Sequence, residues 1–248
     1  VADARGLALV IAGAGGIGAA ITATLAAAGY EVVAADIDAA AGAAVAAATG
    51  CRFAACDCGD PAALRALFAG LGPLSVLVNN AGIAGSTAPV TEVALADWQR
   101  VLDVNLTAQF LACQLALPGM LTRGHGVIVN MSSVAGRIGF AGRAPYVASK
   151  WAVLGLTATL AQEVSRHGVR VNAILPGTTR GARMDAVLAG FAAARGLDPA
   201  EAEAYYLGRA ATGRYVEPEQ VAALVAFLAG DAAASITGQF IGVDGGFA

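Results

Sequence analysis

Lys150 is the single lysine of the chain, against fourteen arginines, and it stands four residues after Tyr146. Composition has drifted toward arginine everywhere else, yet one position keeps a compact ammonium. Lysine and arginine are not interchangeable where a point charge sits beside another group or where a proton must move. A spacing of i, i+4 puts Tyr146 and Lys150 on one face of a helix. A cation there stabilises a phenolate and lowers the tyrosine pKa, as a general acid/base requires. Taken alone, the pair is equally well read as a chance lysine on a solvated helix face.

A second chemistry-bearing run is Ala12-Gly13-Ala14-Gly15-Gly16-Ile17-Gly18. Glycines between a strand and a helix let the backbone approach a pyrophosphate, and the helix N-terminus adds N–H donors and a positive dipole end. A glycine cluster is a weak signal in a chain this rich in Ala and Gly. What strengthens it is Asp36, a carboxylate at the end of the next apolar run, placed to accept from an adenosine ribose and to repel a 2′-phosphate. Asp38 precedes the following alanine run more directly and suits the helix N-cap role. Neither Ala14, Gly15 nor Ile37 offers a cation for a phosphate, so the expected cofactor is NAD rather than NADP.

These residues need a scaffold that repeats. Apolar runs at 7–12, 31–36, 52–56, 74–79, 126–131, 169–175 and 239–243 read as strands, and stretches at 17–28, 61–71, 97–121, 146–167 and 217–229 have helical length. Nearly continuous apolar strands alternating with helices predict a parallel sheet covered on both faces. The expected fold is α/β, a single doubly wound Rossmann-type domain over residues 1–248. Residues 177–214 break the rhythm, with helical stretches and no strand signal. Asp198-Pro199 is a helix start. An insertion after a strand's carboxyl end is well placed to cover a substrate, and a packing excursion without a gating role is the alternative.

Composition excludes other classes. A net charge of -3 and a pI near 5.3 leave no electrostatic footprint for nucleic acid, and no basic cluster marks a membrane surface. Mean hydropathy is +0.66, and no charge falls between Arg5 and Glu31. Glycines crowd the middle of that stretch, however, which reads as strand, turn and helix rather than a span, and removal of a leader there would destroy the glycine motif. The expectation is a soluble, cytoplasmic protein. Cys51, Cys56, Cys58 and Cys113 show no zinc spacing and imply no disulfide framework.

Together these pieces resemble the classical short-chain dehydrogenase/reductase family along essentially the whole chain. The matching residues are the glycine turn, Asp57, Asn79-Asn80-Ala81-Gly82, Asn105 in Asp103-Val104-Asn105-Leu106, and Ser132-Ser133-Val134-Ala135-Gly136. They continue with Tyr146-Val147-Ala148-Ser149-Lys150, Pro176-Gly177, Ile236-Thr237-Gly238 and Val243-Asp244-Gly245-Gly246. The resemblance implies Tyr146 as acid/base, and Lys150 holding the nicotinamide ribose and depressing the tyrosine pKa. It implies Ser133 orienting the substrate oxygen and Asn105 holding a water in a relay to Lys150. Cofactor contacts are implied for Gly13, Gly15, Gly16, Ile17, Gly18, Asp36, Ile37, Asp57, Cys58, Asn79, Ala81, Gly82, Tyr146, Lys150, Pro176, Gly177 and Thr179.

The implied reaction is metal-free hydride transfer between NAD and a secondary alcohol (a polyol, sugar or hydroxy compound) or its ketone, in a homotetramer paired through the helices at 97–121 and 146–167. The alternatives are a 3-oxoacyl thioester reductase, which usually prefers NADPH, and a non-catalytic NAD-binding protein. Two departures stand out. The family pattern Thr-Gly-x-x-x-Gly-Ile-Gly is expected here to be one residue short, with Ala12 in place of the threonine. Gly181 takes the place of a threonine after Pro176-Gly177.

Substrate contacts are expected from Val134, Ala135, Phe140, Tyr205 and Tyr206. Five arginines (180, 183, 195, 209 and 214) suggest an anionic substrate. Four acids (Asp185, Asp198, Glu201 and Glu203) share the segment, so solvated surface charge is the plainer expectation.

Overall fold

The apolar runs become β1 (Leu7–Ile11), β2 (Glu31–Asp36), β3 (Arg52–Ala55), β4 (Leu74–Asn79), β5 (Gly126–Met131), β6 (Val169–Pro176) and β7 (Phe240–Val243). In the computed structural model, which describes residues 5–247, they form one parallel sheet of order β3-β2-β1-β4-β5-β6-β7. The order reverses at β1, which pairs with β2 on one side and β4 on the other. Ile11 is level with Ala35 and with Asn79, so Ala12, Asp36 and Asn80 all emerge at the same sheet edge. That edge, at the carboxyl ends of the strands, is where a doubly wound sheet binds ligands.

Alternate strand residues supply two cores. Leu9, Ile11, Leu77 and Ile128 face α3 (Pro61–Ala69), α5 (Ala108–Arg123) and α6 (Ala144–Val164) through Leu64, Leu111, Met120 and Leu160. Val10, Val78, Val129 and Ile174 face α1 (Gly16–Ala27) and α9 (Pro218–Ala229) through Ile21, Leu25, Val221 and Val225. Each such side chain removed from water contributes about 1.5–3 kcal/mol, so the strands that carry the site are also the most firmly held. α2 (Ala39–Thr49) starts at Asp38, whose Oδ1 accepts from Ala41 N at 3.0 Å.

The helix expected over 97–121 is interrupted. α4 (Leu95–Leu102) is followed by a π turn, Asp103–Thr107, and only then by α5. One extra residue in a helical turn leaves the apolar pattern almost unchanged, so the sequence carries no sign of it. By length and composition the run Leu95–Arg123 would be long and apolar enough to cross a membrane. In this fold Leu111, Ala112 and Met120 pack it on the sheet instead.

In the segment without strand signal, α7 (Ala182–Arg195) and α8 (Pro199–Leu207) stand beyond the end of β6. α8 opens with a capping box: Glu201 N donates to Asp198 Oδ1 at 2.8 Å and Asp198 N donates to Glu201 Oε2 at 3.0 Å. Phe191 stacks on Tyr205 at 4.8 Å and meets Tyr206 edge-on at 5.3 Å, which ties the two helices together.

Candidate active site

A cavity of about 380 Å³ opens at the carboxyl edge of the sheet, with Gly15, Gly16 and Asp36 at one end and Ser133, Tyr146 and Lys150 at the other. α6 presents Tyr146 and Lys150 on the same face, and Lys150 Nζ lies 5.7 Å from the centre of the Tyr146 ring. Lys150 is only 2% exposed. Its ammonium donates to the carbonyl of Met131 at 2.9 Å, and Gln109 Nε2 donates to the same oxygen at 3.3 Å. Ser133 follows β5, accepts from Ala135 N at 3.2 Å, and shares a hydrogen bond with the Tyr146 phenol.

Burial alone would raise the Tyr146 pKa. The cations of Arg183, Lys150 and Arg143, with the Ser133 hydrogen bond, outweigh it and lower the phenol to about 8. Burial also lowers the Lys150 ammonium to about 8; the neighbouring tyrosine works against that shift and Arg183 with it. Two groups that each give up a proton near neutrality, side by side in one cavity, form an acid/base pair whose titration is shared.

Asn105 is fully buried in the π turn. It receives Ile83 N at 2.7 Å and donates to Ile83 O and to Ser149 Oγ, both at 3.0 Å. A π turn at a functional position is a recurrent device, and here it brings Asn105 beside Gly82. A methyl group on Gly82 would lie 3.2 Å from Lys150 Nζ and 3.3 Å from Asn105 Oδ1. The absent side chain therefore keeps open the gap between the two.

At the other end the residues fit a dinucleotide. Gly15 caps α1 in an extended conformation with no side-chain hydrogen bond. A Cβ on Gly15 or Gly16 would meet nothing within 4 Å, and Gly15, Gly16 and Ile17 line the cavity, so the first turn of α1 borders it with open space at its glycines. Asp36 is held by Ala14 N at 3.0 Å and Asp38 N at 3.2 Å, which fixes the carboxylate at the cavity wall with lone pairs to spare.

The turn itself departs from expectation. Ala12 adopts φ 56, the only non-glycine positive φ among the described residues. A left-handed position is where a pattern keeps glycine, so the first glycine of Thr-Gly-x-x-x-Gly-Ile-Gly falls on Ala12 and the threonine on Ile11. In that register the turn is full length rather than one residue short. Asn80 Nδ2 donates to Ala12 O at 2.8 Å and steadies it.

The other expected residues divide into two groups. Ile17, Gly82, Val134, Ala135, Phe140, Pro176, Gly177, Thr179 and Tyr206 line the cavity. Gly13, Gly18, Ile37, Asp57, Cys58, Ala81 and Tyr205 do not. Gly13 and Gly18 permit close packing behind the turn. Ile37 is exposed, and Asp57 accepts from Gly59 N at 2.8 Å at the surface. Cys58 is half-buried and its thiol is pushed up to about 12 by burial and by Asp57. Tyr205 lines a smaller neighbouring cavity. Asn79 points into the core: its Nδ2 donates to Asn130 Oδ1 at 2.8 Å and to Cys113 Sγ at 3.3 Å, and Asn130 Nδ2 donates to Thr157 at 3.0 Å. Its neighbour Asn80 reaches the cavity instead, because successive side chains of a strand leave on opposite faces.

Sequence reasoning missed Asn80, Met184 and, above all, Arg143, all of which line the cavity. Arg143 lies three residues before Tyr146, one helical turn away, and that spacing was the available signal.

The family model described as enoyl-(acyl carrier protein) reductase matches residues 11–248. The chain is 36% identical to the 2,5-dichloro-2,5-cyclohexadiene-1,4-diol dehydrogenase of Sphingobium indicum, over 100% of this chain and 99% of that one. Among solved structures it is similar to an NAD+-bound xylitol dehydrogenase, with a TM-score of 0.92, 30% identity, and 99% and 100% of the two chains covered. It is also similar to an actinorhodin polyketide ketoreductase with NADPH, with a TM-score of 0.92, 34% identity, and 97% and 96% covered.

Proposed function

The chain belongs to the classical short-chain dehydrogenase/reductase family and is an NAD-dependent oxidoreductase of hydroxy compounds and their ketones, and on that premise we propose that Tyr146 is its acid/base. The observation that carries this reading is the Tyr146 phenol, lowered to about 8 inside the cavity by cations that outweigh its burial. When bound, the nicotinamide supplies or accepts the hydride.

In the oxidative direction the Tyr146 phenolate takes the proton of the substrate hydroxyl. Ser133, already bonded to the phenol, holds the same oxygen by its hydroxyl. Lys150, clamped on the Met131 carbonyl, keeps positive charge beside the phenolate; as the proton leaves Tyr146 the ammonium releases one of its own into the gap that Gly82 leaves toward Asn105 and takes up the incoming one, so its charge is unchanged. In the reductive direction each proton moves the other way. The N–H groups of α1 and the carboxylate of Asp36 hold the two ends of the adenosine diphosphate half, and Asp36 favours NAD over NADP. That preference weighs against the thioester-reductase alternative.

Residues 177–214 act in this reading as a lid, with the joined pair α7 and α8 covering the substrate end of a single domain. The enzyme assembles as a homotetramer through α4–α5 and α6. Phe110 (48% exposed) and Trp151 (51% exposed) lie on α5 and α6, and apolar surface of this kind asks for a partner. Light scattering at micromolar protein reads the assembly directly, and a monomer overturns it. A cytoplasmic location, with free cysteines and access to the NAD pool, belongs to the same reading.

The test is NADH formation from a panel of secondary alcohols, hydroxy acids and polyols, followed against pH. Oxidation needs the phenolate, so kcat/KM rises through about pH 8 and levels off above it; ketone reduction needs the phenol and falls over the same window. Tyr146→Phe lowers kcat by ~10²–10⁴. An oxidation rate flat across that window, or a Tyr146→Phe enzyme of ordinary activity, overturns the assignment.

A further inference from the structure

Arg143 is only 8% exposed. One Nη donates to the carbonyl of Ala84 at 3.3 Å, a long bond, and Nε has no partner. Its guanidinium carbon lies 5.2 Å from the centre of the Tyr146 ring, and that of Arg183 lies 5.6 Å from the same centre. With Lys150, three cations therefore crowd one phenol. A guanidinium does not shed its proton, and burying one without a counter-charge is costly.

No carboxylate among the described residues pairs with Arg143, Arg183 or Lys150. Among the described residues the ion pairs join Arg52 to Glu31 and Arg180 to Glu217. The single acid in the cavity wall, among the described residues, is Asp36, at the adenosine end. The lid acids that suggested a balanced surface are used elsewhere. Asp198 and Glu201 cap α8, and Glu203 accepts from the Tyr215 hydroxyl at 2.7 Å. Asp185 is exposed and outside the cavity wall. Arg143 also borders the smaller cavity of about 80 Å³, whose wall adds Arg195 and, among the described residues, no acid. The substrate end is thus built as an anion site, with a buried, under-bonded guanidinium aimed into it.

We propose that the substrate carries an oxyanion in addition to its hydroxyl or keto group, and that Arg143 binds this oxyanion with Arg183 completing the clamp. This rests on the oxidoreductase reading for the identity of the reacting group, but not for the anion site. Guanidinium N–H pairs match carboxylate, sulfonate and phosphate oxygens alike, and the spacing to Tyr146 places the anion a few atoms from the reacting carbon.

The experiment uses the Tyr146→Phe protein loaded with NAD, so that binding is measured without turnover. Calorimetry compares 3-hydroxybutyrate, 2-hydroxypropanesulfonate and 2-hydroxypropyl phosphate with the neutral 3-hydroxybutyramide. At least one anion should bind ~10-fold or more tightly than the amide, as one charged hydrogen-bonded contact gives. Adding Arg143→Gln should abolish the preference and Arg143→Lys should restore part of it. An amide that binds as tightly as every anion, no binding by any of the four, or a preference that survives Arg143→Gln overturns the proposal.

A titration of NAD alone into Arg183→Gln separates the two arginines. Weakened NAD binding with the anion preference intact assigns Arg183 to the cofactor and overturns its part in the clamp. Turnover by the unmodified protein is the separate readout. An anion preference without oxidation of any alcohol removes the oxidoreductase reading and keeps the site. Oxidation of neutral alcohols without that preference does the reverse.

Discussion

The two ends of the cavity are built from different materials. The adenosine end is mostly backbone: a turn, the first N–H groups of α1, and one carboxylate held by two amides. The substrate end is mostly side chain: Ser133, Tyr146, Lys150 and two arginines drawn from β5–α6 loops, α6 and α7. Backbone sites depend on local conformation and are spelled out within a few residues. Side-chain sites depend on which distant elements the fold brings together. The first kind suits a cofactor common to many enzymes, and the second a substrate particular to one.

The largest test of the substrate end is Lys150→Arg. It keeps the charge but replaces a compact ammonium by a larger planar group that cannot relay a proton. Lys150 is buried and clamped on Met131 O, with no room to redistribute. The expected loss in kcat is ~10²–10⁴, or about 3–5 kcal/mol of transition-state stabilisation, with circular dichroism checking the fold. A variant retaining more than about a tenth of the rate would place the chemistry elsewhere in the cavity.

At the adenosine end the effect is smaller and falls on selectivity. Asp36→Ala should narrow the preference for NAD over NADP by about tenfold, the value of one or two charge-assisted hydrogen bonds, read by fluorescence titration of both cofactors. Because Asp36 also holds Ala14 N, some affinity for NAD itself should be lost with it. An unchanged ratio would show that the carboxylate serves the turn alone.

The smallest effect concerns the turn. Ala12 at φ 56 carries the left-handed penalty of roughly 1–2 kcal/mol. Glycine there escapes it but gains unfolded-state entropy, worth about 0.5–1 kcal/mol against it. Ala12→Gly should therefore raise stability by about 0.5–1 kcal/mol in urea denaturation while leaving the substrate end untouched. Destabilisation would mean that the Ala12 methyl packs usefully, against the register argued for the turn.

Fold and catalytic pair were legible for a common reason. The strands are apolar because both faces are covered, so β2, β4 and β5 have the boundaries the runs predicted. An i, i+4 pair on a helix needs no tertiary information to be placed on one face. Asn79 and Asn80 mark the limit: the doublet was visible, but which one meets the cavity depends on the face that β4 turns to the core. The π turn at Asn105 was invisible because its apolar spacing imitates an ordinary helix.

By itself the sequence determined the parallel doubly wound sheet, the helix that carries Tyr146 and Lys150, and the carboxylate at the second strand's end, since each depends on periodicity or spacing within a short stretch. Only the tertiary structure decided how the charges balance. In sequence the lid arginines and acids lie interleaved and look like solvated surface. In the fold Asp198, Glu201 and Glu203 are spent on caps and a tyrosine, while Arg183 reaches the same tyrosine ring as Arg143, forty residues earlier in the chain. Electrostatic compensation acts through space over a few ångströms, and linear proximity does not report it.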